Sequence, residues 1–168
     1  SVKQENSVFK VILNAESLVS DVSITNQKAD DYYAEATFFY EKQDYSNVES
    51  NCRLARGYYS DSSQKYKEIS SELENSGIKD KLVDIDVESL SLLSEISLNM
   101  YEACEHFESA SRYYDTYYNT NAPYDDQSYD LGTGEIQLMN EKITLHDENV
   151  RKYNDLLSDF QTELKKRI

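Results

Sequence analysis

Apolar residues recur along most of this chain at alternating steps of three and four, the spacing of one helical face held over many turns. The first stripe runs Val8, Ile12, Ala15, Val19, Val22, Asn26, Ala29, Tyr33, Ala36 and Tyr40, with one polar interruption at Asn26. The second runs Val48, Cys52, Ala55, Tyr59, Ser62, Tyr66, Ile69 and Leu73, and the third Leu82, Ile85, Ser89, Leu93, Ile96, Met100, Ala103, Phe107, Ala110, Tyr114 and Tyr117. The fourth is Ile136, Met139, Ile143, His146, Val150, Tyr153, Leu157, Phe160 and Leu164. Between them lie Lys42 to Tyr45, the Gly77 region, and a long stretch from Asn119 to Gly134 that holds Pro123, Gly132 and Gly134. Such residues punctuate helices. The spacing therefore predicts four helices over about residues 5–42, 45–75, 79–118 and 135–166, with a long loop over about 119–134.

Steps averaging about 3.5 keep each stripe aimed at its neighbours when the helices supercoil gently left-handed. Short turns make consecutive helices antiparallel. The expected fold class is thus all-α, a single elongated antiparallel four-helix bundle with up-down-up-down order spanning residues 1–168, its helices roughly 45 to 60 Å long. Reflection about each turn gives a register. Leu73 meets Leu82, Ala55 meets Met100, Ala36 meets Cys52, Ala29 meets Tyr59, Ala103 meets Val150 and Phe107 meets His146. The same reflection carries the third and fourth helices about three layers past the first hairpin, leaving Ala110, Tyr114, Tyr117, Ile136, Met139 and Ile143 at an end two helices thick. Asn26 and Ser62 share a layer, a polar pair of the kind that fixes register.

Charge narrows the functional classes. Seventeen basic against 32 acidic residues give a net charge of −15, which argues against nucleic acid, since phosphate binding needs a basic face. It argues equally against adsorption to anionic lipid, and no apolar run approaches the roughly 20 residues that span a bilayer. The chain opens on Ser1 and leads directly into the first stripe, which leaves room upstream for a leader or anchor.

Residues 29–60 resemble a tetratricopeptide-type helical hairpin. Tyr32, Ala36, Phe39, Val48, Cys52 and Ala55 fall at its small and aromatic positions, and Asp44-Tyr45 at its turn. Ser60 stands where that family's closing proline is expected, both helices run on past the repeat, and no second copy follows. The likeness implies the packing of a tight αα-hairpin. As an architecture, the whole chain is similar to the extracytoplasmic four-helix-bundle sensor domains of transmembrane receptors, which implies ligand sensing with both termini on one side. No ligand-binding motif carries over.

Candidate chemistry is sparse. Cys52 and Cys104 lie at nearly equal heights on neighbouring helices and form a candidate disulfide in an oxidising compartment, or else two buried thiols. His106 follows Glu102 by four residues and His146 follows Glu141 by five, so neither makes the Glu-x-x-His of di-iron bundles. His146 is expected half-buried beside Phe107, and His106 on the surface. Asp125, Asp126, Asp130 and Glu135 lack the spacing of a calcium loop and read as a solvated acidic loop. No nucleophile constellation or phosphate-cradling glycine loop is present, so the sequence predicts no enzyme, no cofactor and no metal.

Fifteen tyrosines and no tryptophan are the compositional anomaly. They are densest at Tyr113, Tyr114, Tyr117, Tyr118, Tyr124 and Tyr129, and adjacent pairs cannot all face the core. Tyrosine offers large contact area at small rotamer cost and keeps a polar tip. The expectation is a non-enzymatic module that presents this tip and the acidic loop to another protein or a surface polymer. Self-association into a homodimer and an extracytoplasmic sensing role stand as alternatives. An extracytoplasmic or cell-surface location is favoured.

Overall fold

The computed structural model describes residues 1–119 and 125–168. Four α-helices follow one another, α1 (Val2–Glu41), α2 (Tyr45–Glu74), α3 (Lys81–Asn119) and α4 (Asp126–Lys165), with no strand among the described residues. Among the described residues, no helix is long and apolar enough to cross a membrane. Side-chain oxygens close the open N–H groups where helices begin: Ser1 accepts from the Gln4 amide, Asp44 from Asn47, and Asp125 from Gln127. Asp80 receives the Leu82 amide at 2.8 Å and starts α3. The two tight turns need left-handed backbone at one residue each, supplied by Gln43 (φ 57°) and Gly77 (φ 70°).

Consecutive helices pack along their lengths as an all-α, antiparallel four-helix bundle. The α1–α2 and α2–α3 registers agree with the reflected ones to within two residues. Tyr59 donates to Asp30 at 2.6 Å, Ser63 and Ser94 exchange hydrogen bonds, and Ser70 donates to the Val87 carbonyl at 3.0 Å. The fourth seam is different. Among the described residues α1 and α4 nowhere approach within 8 Å between Cα atoms. Only side chains such as Phe160 and Leu164 reach the cluster of Val8, Ile12, Leu73 and Leu82 on the inner face.

The last helix departs from its expected bounds. It begins at Asp126, nine residues before 135, so most of the supposed 119–134 loop is helix. The reason is packing. Gly132 lies under the Tyr114 ring, where an added Cβ would stand 2.8 Å from Cε1, so this glycine serves close approach rather than a turn. The longer α4 slips the α3–α4 register by one heptad. Phe107 shares its core cluster with Met139 instead of His146, and Ala103 lies with Ile143 instead of Val150.

Two large clusters fill most of the interior, and a small third one joins Tyr45, Ala110 and Tyr114 at the α1–α2 end. One large cluster, toward the α1–α2 turn, gathers small and aromatic residues including Ala29, Ala36, Cys52, Tyr59, Ala103 and Phe107. The other, toward the α2–α3 turn, is mostly aliphatic. A polar belt lies between them. Ser97 donates to Asn26 Oδ1 at 3.0 Å, while the buried Ser62 hydroxyl has no hydrogen-bond partner, so Asn26 pairs with Ser97 and not with Ser62.

Candidate functional site

Rings from all four helices meet at the α1–α2 turn. Tyr40 and Tyr45 lie on either side of that turn, with centroids 6.1 Å apart, and both contact Tyr114 at 6.3 and 5.6 Å. Tyr118 stacks on Tyr45 at 5.9 Å with planes 11° apart, and Tyr117 meets Tyr118 edge-on at 4.7 Å. From α4, Tyr129 closes on Tyr114 and Tyr117 at 5.6 and 5.1 Å. Such tilted and edge-on pairs add to area burial through ring quadrupoles. The Tyr114 hydroxyl lies 3.1 Å from Thr133 Oγ1, which gives its polar tip a partner.

Burial divides this cluster by role. Tyr45 and Tyr114 are buried, whereas Tyr118 and Tyr129 keep 43% and 42% of their surface exposed. Phe38 and Leu131 add exposed apolar surface at the same end. Burial, then the phenols of Tyr114 and Tyr45, pushes Tyr40 up to about 12. Burial, then Tyr118 and Tyr114, does the same for Tyr45. These hydroxyls are therefore neutral at any physiological pH.

Of the tyrosines singled out by sequence, Tyr114, Tyr117, Tyr118 and Tyr129 come together. Tyr113 is half-buried and makes no ring contact among the described residues, and Tyr124 lies outside them. Tyr40 and Tyr45 join without having been singled out, although their positions flanking Lys42 to Asp44 were the available signal. The overhang shrinks correspondingly. Ala110 is wholly buried beside Tyr45, and Met139 and Ile143 belong to the main core. Tyr45 reaches as far as Tyr118, so the first hairpin covers nearly the whole end.

The remaining candidates do not assemble a reactive centre. Cys52 and Cys104 are fully buried free thiols on α2 and α3, and the neighbouring Cys104 thiol, then burial, drives the Cys52 thiol far up. At Cys52 the thiolate, the reactive form, is thereby suppressed. His106 is not a surface residue: its Nδ1 lies 2.6 Å from Glu135 of α4, and only 27% of its side chain is exposed. The acids of the supposed loop disperse along α4, with Asp125 capping the helix and Glu135 ten residues, about 15 Å, further on. No group of three metal-ligating side chains forms among the described residues.

Two buried carboxylates on α3 were not anticipated. Glu108, 3% exposed, accepts from Arg56 and Arg112 at 2.5 Å each and from Arg53 at 3.4 Å. Arg56 also lies over the Tyr101 ring, 5.2 Å from its centroid. Asp86, 6% exposed, has no hydrogen bond at Oδ2. Burial, then the Glu16 carboxylate of α1, raises its carboxyl to about 7. From α4 the group facing it is Tyr153, itself raised by burial and then by Glu16 and Asp86. Comparison with protein-family models, curated proteins and solved structures finds no match.

Proposed function

We propose that this chain is a non-enzymatic helical-bundle module that docks another protein, or a surface polymer, through its tyrosine end. One observation carries the reading: Tyr118 and Tyr129 are each two-fifths exposed, yet each is held against two neighbouring rings. Rings already fixed in place lose little entropy on binding, and exposed apolar surface gathered at one end is typical of a contact site. The acidic surface around the rings suits a partner of opposite charge and disfavours nucleic acid and anionic lipid.

The test is photo-crosslinking. A benzophenone side chain at Leu131, beside the exposed rings, is expected to give one discrete adduct in the native extract, and the same probe at Asp61 on α2 none. Adding Tyr118→Ser and Tyr129→Ser, with helical content and unfolding midpoint unchanged, should abolish that adduct. An adduct indifferent to the double substitution, or none at all, sinks the reading.

A second reading, ligand sensing as in extracytoplasmic four-helix domains, is supported by one arrangement. The α1 start and the α4 finish share the end opposite the tyrosines, where Arg167 pairs with Asp80 at 2.8 Å. Full-length reading frames would distinguish the two, since a hydrophobic span directly after Ile168 belongs with sensing.

A further inference from the structure

We infer that the tyrosine end recognises a basic peptide segment, with lysine or arginine side chains lying on the exposed faces of Tyr118 and Tyr129 among surrounding carboxylates. This rests on the reading of that end as a docking surface and adds the chemistry of the partner.

Composition at this end is one-sided. Over residues 38–45, 113–119 and 125–131 there are six acids and a single base, Lys42. Two of the acids are occupied as helix caps, Asp44 on α2 and Asp125 on α4. Glu41, Asp126 and Asp130 are exposed and enter no ion pair among the described residues. Carboxylates without counterions beside ring faces form a surface that lacks cations, because the face of an aromatic ring carries the negative part of its quadrupole.

The protein uses this pairing internally. Lys42 Nζ lies 5.6 Å from the Phe38 centroid, Lys28 Nζ 5.9 Å from that of Tyr58, and the Arg56 guanidinium 5.2 Å from that of Tyr101. At the exposed rings of Tyr118 and Tyr129 no cation of this chain takes that place among the described residues. A second copy of this chain is a poor occupant, since each brings a charge of −15 and the same acids to the contact. A basic segment gains twice, from long-range attraction that speeds encounter and from short-range ring contact that slows release.

Fluorescence anisotropy with a labelled, flexible Gly/Ser peptide carrying four interspersed arginines tests this directly. The intact protein is expected to bind it, more weakly as salt rises toward about 0.15 M, where charges beyond roughly 8 Å are screened. Tyr118→Ala with Tyr129→Ala changes no charge and should weaken binding about tenfold, while Tyr118→Phe with Tyr129→Phe retains it, because the ring face is the contact. Equal binding by the alanine variant would reduce the effect to bulk charge and overturn the inference. If the peptide fails to bind while the Leu131 crosslink survives, the end docks something else, such as a neutral polysaccharide, and only this inference falls. If both fail, the docking reading falls with it.

Discussion

Glu108 and Asp86 sit on the same helix, about 33 Å apart at 1.5 Å per residue, and each is more than nine-tenths buried. In the region near the tyrosines, Glu108 is clasped by three of the chain's five arginines, and the carboxylate stays within a network of charged hydrogen bonds. In the aliphatic region near the α2–α3 turn, Asp86 faces another acid and a phenol and enters no ion pair among the described residues. Burial alone therefore does not decide what a carboxylate does in this bundle. Its company does, so that one acid fastens helices together while the other resists being ionised.

The largest loss of stability expected from that contrast is at Glu108. Glu108→Ala leaves Arg56 without its main partner and should cost about 3 kcal/mol, toward the lower end for a broken buried pair because Arg53 and Arg112 can turn to solvent. Urea unfolding measures it, and a loss below about 1 kcal/mol would make this region no better fastened than the other.

Asp86→Asn should act with the opposite sign. The folded-state value is raised from 3.8 to about 7, so the folded protein holds a proton that the unfolded chain releases. The stability tied to this group is fully present below the unfolded value and is lost as pH rises through the folded one. An asparagine at this position mimics the neutral acid, so the variant should be more stable than wild type at pH 8, by up to about 4 kcal/mol, and equal to it near pH 4. Parallel pH profiles for the two proteins would erase the contrast.

The smallest effects probe apolar packing at the tyrosine end. Gly132→Ala drives a methyl against Tyr114, whose ring is pinned by Tyr40, Tyr45 and Tyr129, and should cost about 1–2 kcal/mol. Gly134→Ala, two residues along the same helix with open space around it, should gain about 0.5–1 kcal/mol from helix propensity. Equal thermal shifts for the two would show that the aromatic cluster yields where it is expected to resist.

Much of the bundle could be read from the chain because each helical stripe is a local property. Val8 to Tyr40 or Leu82 to Tyr117 requires only the period of an α-helix, and the short turns transmit register with little error, as Tyr59 against Asp30 shows. The start of α4 could not be read that way. Glycine speaks for a loop when judged by neighbours in sequence, and for close contact when judged by neighbours in space, and Gly132 belongs to the second case. The heptad slip at Met139 followed from that one ambiguity. Glu108 and Asp86 escaped for a related reason, since a stripe drawn from apolar residues passes over acids at its margin. In hindsight Arg53 and Arg56, on the helix facing Glu105 and Glu108, were the available clue. Nothing comparable marked Asp86. At the tyrosine end the density of rings was visible, but which rings would be covered depended on Tyr45 folding back from α2.

The open flank between α1 and α4 has a consequence for how the chain reaches this shape. Every extensive interface joins helices adjacent in sequence, and none requires the first helix to wait for the last. Closing such contacts traverses only short spans of polymer, a topology associated with rapid folding. During synthesis each helix finds its docking surface already made by the one before it, so the nascent chain can condense stepwise as it leaves the ribosome.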